Sequence, residues 1–162
     1  MRPRMPPRPW SACTTRPTDD AGAVGAAGGG WSMTSTRGFV LHHTSLRPVP
    51  GLESLKLHLA DEVLPLWRAL QLETDDPDAA LPYWAFAWSG GLAIAHYLAD
   101  HPEVVRGRRV LDLGSGSGLC AIAAGLAGAA PLTAVDTARY AARVIGLTAR
   151  ASGQSVTAAE RD

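Results

Sequence analysis

Residues 110–125, VLDLGSGSGLCAIAAG, constrain the fold more than any other part of this 162-residue chain. Glycine stands at 114, 116 and 118, directly after the apolar run at 110–113. Glycines at alternate positions let a strand turn sharply into a helix, through backbone angles that other residues avoid. They also remove side chains, so that backbone N–H groups can approach a ligand closely. The helix that follows adds its positive end and its unpaired amides. The rhythm around this loop is regular: a strand at 110–113, a small-residue helix at 119–127, and a second strand at 132–135. A second helix at 138–151 is closed by Gly153, and residues 155–159 suit a third strand. Such alternation predicts a parallel sheet covered by helices.

The loop's spacing separates two classes of nucleotide site. A dinucleotide-binding turn, G-x-G-x-x-G, requires glycine at 119, where this chain has Leu119. An NAD-type oxidoreductase is therefore disfavoured. The G-x-G-x-G spacing, with Asp112 two residues before the first glycine, is the pattern of class I S-adenosylmethionine methyltransferases. Asp136 lies 22 residues past Gly114, at the predicted end of the second strand, where α/β folds of this kind face a ribose hydroxyl pair. Asp112 and Asp136 both fall at ligand-facing positions, which a merely structural glycine turn does not require.

Composition narrows the setting. The formal net charge is zero, so no general attraction to nucleic acid or to a membrane surface is expected. Lys56 is the only lysine among the basic residues. Cys13 and Cys120 share no metal-ligand spacing and point to a reducing, cytoplasmic setting. The five histidines, His42, His43, His58, His96 and His101, show no spacing that builds a base or a metal site. No apolar run approaches the roughly 20 residues that span a bilayer. The N-terminus carries arginines without an apolar stretch behind them, so no secretory signal is expected.

Three regions follow from texture. Residues 1–32 are rich in Pro, Gly and Arg without periodicity, and are expected to be a disordered arm. The texture changes at Met33, which could be the true start of the protein. Residues 33–107 form an N-terminal extended and helical segment, and 108–162 an α/β domain. Within the middle region, 38–60 alternates loosely and reads as extended chain around a turn at 48–51. Asp61 opens a helix to about Gln71, with Pro65 tolerable in its first turn. The acidic stretch 73–82 is a loop. Ser89 is the expected N-cap of a helix to about Ala99, with Gly91, Ile94, Ala95 and Leu98 on one face.

Upstream of the loop, LPYWAFAWSGGLAIAHYLADHPEVVRGRRVLDLGSGSGLCAIAAGLAGA resembles the electron-transfer-flavoprotein β-subunit lysine methyltransferases. It is similar, too, to bacterial relatives described as nicotinamide N-methylase-like or grouped with ribosomal-protein lysine methyltransferases. The likeness runs from about Phe39 to about Gly153. The resemblance implies a Rossmann-like methyltransferase that uses S-adenosylmethionine and acts on a protein lysine side chain or a small amine. It implies that Gly114, Gly116 and Gly118, with Ser115 among them, cradle the cofactor's methionine part. Asp112 would hold the loop or the amino group, and Asp136 would accept from the ribose hydroxyls. Trp88 and Trp84 would line the pocket, as suits an aromatic against a flat or cationic ligand. No metal is implied.

This chain also departs from the family's pattern. Leu92 replaces a frequent glutamine, Ala138 and Arg139 replace an acid and a proline, and Thr148 replaces an asparagine. The family's sheet has seven strands in the order 3-2-1-4-5-7-6, and this sequence supplies the first three, in order 3-2-1. Completing the sheet takes on the order of 100 further residues. Asp162 would be the acid that meets the adenine amino group. No catalytic residue is assignable, because the candidates belong to the part past residue 162. The alternative is a non-catalytic fragment that keeps only cofactor or partner binding. The strand at 110–113 is expected to be a bare edge that invites association, and oligomeric state is not fixed by the sequence.

Overall fold

The structure, a computed structural model, describes residues 35–161. The arm at 1–32, Met33 and Asp162 lie outside them.

The chain begins with helix α1 (Thr36–His43), followed by an antiparallel hairpin of β1 (Ser45–Val49) and β2 (Leu52–Leu59). Helix α2 (Val63–Thr74), a 3-10 turn at Tyr83–Ala85, and α3 (Ser89–Asp100) complete the first half. Then come β3 (Val110–Leu113), α4 (Leu119–Leu126), β4 (Leu132–Asp136), α5 (Arg139–Ala151) and β5 (Val156–Glu160). These three strands form one parallel sheet in the order β3-β4-β5, with Val110 opposite Leu132 and Leu132 opposite Val156. The result is a Rossmann-like βαβαβ unit.

Several local expectations change. Residues 38–43, expected as extended chain, belong to helix α1. Ser35 caps this helix, its hydroxyl accepting from the Gly38 amide at 3.0 Å. The alternation of Phe39 and Leu41 was a poor guide, because Phe39 pairs with His43 one turn on, rings 4.4 Å apart, and with Tyr140 at 5.0 Å. Helix α2 starts at Val63, and Asp61 forms an ion pair with Arg47 on β1. Ser89 is the first helical residue of α3 and Trp88 holds the N-cap position, without a side-chain capping bond. Ile94 is half exposed, and the face of α3 that buries carries Ala95 and Leu98.

The sheet has one covered face. Leu132 and Ala134 are buried beneath α4 and α5, among Ile122, Ala123, Val144 and Ile145. Helix α5 supplies a continuous stripe for this, with Tyr140, Ala141, Val144, Ile145, Thr148 and Ala149 all buried at helical spacing. On the opposite face Leu111 and Leu113 are 60% and 79% exposed. Strand β3 pairs only with β4 among the described residues, leaving its second edge open. An apolar strand bare on one edge and one face favours association.

The hairpin is fastened to α5 by hydroxyls. The Thr148 Oγ1 accepts from the His58 amide at 3.2 Å, and the Ser152 hydroxyl accepts from the Lys56 amide at 2.9 Å while donating to the Lys56 carbonyl at 3.1 Å. The free edge of β2 thus finds partners on a helix. Both apolar cores consequently draw side chains from each side of residue 107.

Two tests of this packing follow. Thr148 is fully buried, so T148V keeps the shape but strands the His58 amide. It should cost about 1–3 kcal/mol of unfolding free energy, read by urea denaturation. Burial holds the imidazoles of His43 and His58 below their ordinary 6.5, with the neighbouring His42 adding to the effect at His43. The unfolded chain therefore binds protons that the folded chain refuses. Stability should be retained above pH 6.5 and fall as the pH drops through it, with a shallower fall in H58Q.

Candidate functional site

The glycine loop is a turn at the carboxyl end of β3, and it is held mainly by hydrogen bonds to the neighbouring β4. The amides of Gly114 and Ser115 both donate to the Val135 carbonyl, at 2.8 and 3.1 Å. The Gly118 amide donates to the Ser115 carbonyl at 2.9 Å. All three glycines have positive φ, at +68°, +54° and +82°. Other residues avoid that region, which is why the segment reads G-x-G-x-G.

Two carboxylates hold the turn. Asp112 Oδ2 accepts from the Ser115 hydroxyl at 2.6 Å and from the Ala121 amide, in the first turn of α4, at 3.0 Å. It thus joins strand, turn and helix, and of its two expected roles the geometry shows the loop-holding one. Asp136, at the end of β4, points at the turn. Its Oδ2 accepts from the Gly116 amide at 2.7 Å and its Oδ1 from the Ala138 amide at 2.8 Å. Hydrogen bonds to an ionised carboxylate are among the stronger ones in a fold.

The expected floor of free amides needs correction at several positions. Gly114 and Ser115 spend their amides on the Val135 carbonyl of β4, Gly118 spends its own on the Ser115 carbonyl within the turn, and Gly116 on Asp136. Gly118 is required by packing: a Cβ there would stand 3.1 Å from Ile145 Cγ1 and 3.3 Å from Ile122 Cδ1. Ser115 is buried, its hydroxyl committed to Asp112. At Gly114 nothing lies within 4 Å of a notional Cβ, so open space adjoins the turn there. A ligand thus meets Gly114 and the Asp136 carboxylate. Of the first amides of α4, that of Ala121 is already donated to Asp112 and that of Ile122 to the Gly118 carbonyl.

The two tryptophans part company. Trp84 is 2% exposed and stacks on Tyr140 at 5.5 Å, a core anchor between the 3-10 turn and α5. Trp88 is 50% exposed, with its indole N–H donated to the Tyr83 carbonyl at 3.0 Å. The same carbonyl lies 3.8 Å from the notional Cβ of Gly116, which brings the Tyr83–Trp88 region to the rim of the turn. Tyr83 was missed in the sequence. Its signal, an aromatic five residues before Trp88, becomes meaningful only once the 3-10 turn folds it back.

Cys120 sits in the first turn of α4, and burial together with the Asp112 carboxylate pushes its thiol up to about 11. It is a neutral thiol at physiological pH and no nucleophile. Among the described residues no group of three or more His, Cys, Asp or Glu is placed to hold a metal ion. No described helix is long and apolar enough to cross a membrane. Two clefts, of about 390 and 340 Å³, are lined by other residues than those of the glycine turn.

Residues 97–151 match the family described as ribosomal protein L11 methyltransferase (PrmA). The chain is 41% identical over 105 residues to the electron transfer flavoprotein beta subunit lysine methyltransferase of Xenopus laevis, covering 65% of this chain and 42% of that protein. Its Homo sapiens counterpart is 53% identical over 66 residues, covering 41% and 25%. A homolog from Caenorhabditis elegans is 32% identical over 111 residues, covering 68% and 41%. The matches therefore span less than half the length of these curated relatives.

The glycines can be told apart by experiment. G114A meets only backbone strain, since its surroundings are open, and should cost about 1–2 kcal/mol. G118A adds a clash with Ile145 and Ile122 to the same strain, so its loss should exceed that of G114A by about 1 kcal/mol or more. Paired thermal melts give the ranking.

Proposed function

We propose that this chain carries the cofactor-binding half of an S-adenosylmethionine-dependent methyltransferase that acts on protein lysine. One observation supports this above the rest: the Asp136 carboxylate stands at the end of β4 against the Gly116 amide, 2.7 Å away. A carboxylate there faces the mouth of the turn and keeps lone pairs for further donors, since each oxygen of Asp136 takes one recorded bond. Vicinal ribose hydroxyls are donors of the right kind. The positive-φ glycines and the open space at Gly114 exclude side chains where the ligand's chain would lie. These residues fit the cofactor.

When bound, S-adenosylmethionine supplies an electrophilic methyl group on a sulfonium. The chain's own residues have narrower tasks. Asp112 keeps the turn joined to α4, so that the turn needs no ordering on binding. Asp136 orients the sugar. The exposed face of Trp88 closes one side of the site. Positioning of this kind is the protein's main contribution to a displacement reaction. A lysine acceptor attacks only as the neutral amine, and no described residue stands out as the base that would take its proton.

Protein lysine as acceptor is supported by the names of the relatives, a small amine being the narrower alternative. A neutral formal charge favours neither nucleic acid nor membrane as partner, and a cytoplasmic setting completes the proposal.

Isothermal titration tests it. S-adenosylhomocysteine should bind the full chain, NAD should not, and D136A should weaken binding about tenfold or more through the lost charge-assisted bonds. Equal affinity for NAD, or a D136A variant that binds S-adenosylhomocysteine as well as the parent, would sink the assignment.

A further inference from the structure

The glycine turn occupies one end of the sheet. Helix α4 leads away from it and ends at Leu126, beside the start of β3, where the Gly107 amide donates to the Gly128 carbonyl at 2.8 Å. There α3, α4 and the β1–β2 hairpin leave a cleft of about 390 Å³ between them. Its walls are apolar. Ala95 of α3 and Ala123 and Ala127 of α4 are buried at its floor, and Leu52 of the hairpin and Leu126 stand at its sides. Protein interiors are close-packed, and alanines on neighbouring helices usually let those helices close on each other. Here room remains, on the scale of a small-ligand pocket. Water against such walls finds few partners, so an apolar chain displaces it with a gain.

One charged side chain lines the cleft, that of Arg106. Its stem lies across Gly128, where a notional Cβ would stand 3.2 Å from Arg106 Cγ and 3.8 Å from Nε. Its own amide donates to the Pro102 carbonyl at 2.9 Å, so the residue is held at both ends of its stem. The guanidinium enters no ion pair among the described residues. Nearby acids are committed or stand elsewhere: Glu103 pairs with His101, Glu53 accepts from the Gly51 amide, and Asp100 ends α3 outside the lining. The charge suits the carbonyl end of α4, yet the planar fork of donors still lacks the carboxylate that matches it. A cation is repelled here. A neutral alkyl chain gains from the walls alone, and an aliphatic acid gains from walls and guanidinium together.

We propose that this cleft is a second ligand site, separate from the glycine turn, which takes a short aliphatic carboxylate. The alkyl chain lies between α3 and α4, and the carboxylate rests on Arg106 at the mouth. This goes beyond the methyltransferase assignment and does not depend on it.

The probe is hexanoate, with hexan-1-ol as its uncharged counterpart, titrated into the full chain. The readout is a 15N correlation spectrum, followed at the Gly128 amide and at the Arg106 Nε–H, the latter assigned by its absence in R106K. Hexanoate should move both resonances to saturation and leave the Gly116 amide of the glycine turn in place. Octanoate should bind about three- to tenfold more tightly through its two added methylenes. R106Q should weaken hexanoate about two- to fivefold and leave hexan-1-ol unaffected. Ala99 lines the cleft from an exposed position, so A99F should block acid and alcohol alike without disturbing the fold. If R106Q fails to fold, A99F and the comparison of acid with alcohol decide alone. Hexan-1-ol as effective as hexanoate, hexanoate binding unchanged in R106Q, or no saturation before octanoate self-associates overturns the proposal. Displacement of hexanoate by saturating S-adenosylhomocysteine overturns it too, since the two ligands then share one site.

Discussion

Everything at the carboxyl end of this sheet depends on two aspartates that bind backbone amides. Left to itself, a run of three glycines with positive φ is the most pliable stretch a chain can have, and ordering it costs more entropy than ordering any other residues. Asp112 offsets that cost from below, tying the Ser115 hydroxyl and the Ala121 amide to β3. Asp136 offsets it from the side, across the parallel register, by taking the Gly116 amide. With both in place the turn has one conformation, α4 leaves it in one direction, and the Tyr83 carbonyl has a fixed surface to approach.

A second constraint works at the other end of α5. A short hairpin has an exposed edge, and a pair of strands alone is marginal in water. Thr148 and Ser152 supply the missing partners from a helix, so β2 is held between β1 and α5. This explains why the N-terminal half and the strand–helix unit share their cores. Leu55 and Leu57 point into the same interior as Leu119 and Ile122, and Phe39 reaches Tyr140. The uncovered side of the sheet, with Leu111 and Leu113 in solvent, contrasts sharply with this economy.

Much of this was legible in the residues themselves. The strand–turn–helix order from β3 to β5, the breaks at the glycines and Asp136 at a strand end all follow from local rules of period, φ and chain reversal. Those rules act within a few residues, so one sequence suffices to apply them. They failed at α1, where an alternation of two apolar residues suggested extended chain, because the contact that decides the matter is Phe39 on Tyr140, a hundred residues away. They failed also on the individual glycines. Spacing shows that positions 114, 116 and 118 need glycine, but only tertiary packing shows that Gly118 makes room for Ile145 while Gly114 faces open space. In the same way Trp84 and Trp88 look alike as letters and differ by burial. By itself, then, the sequence determined which backbone turns are possible and which acids can reach them. The tertiary structure decided which of those groups are spent on holding the fold and which remain for a ligand, because a hydrogen bond or a cavity is shared between distant parts of the chain and belongs to neither alone.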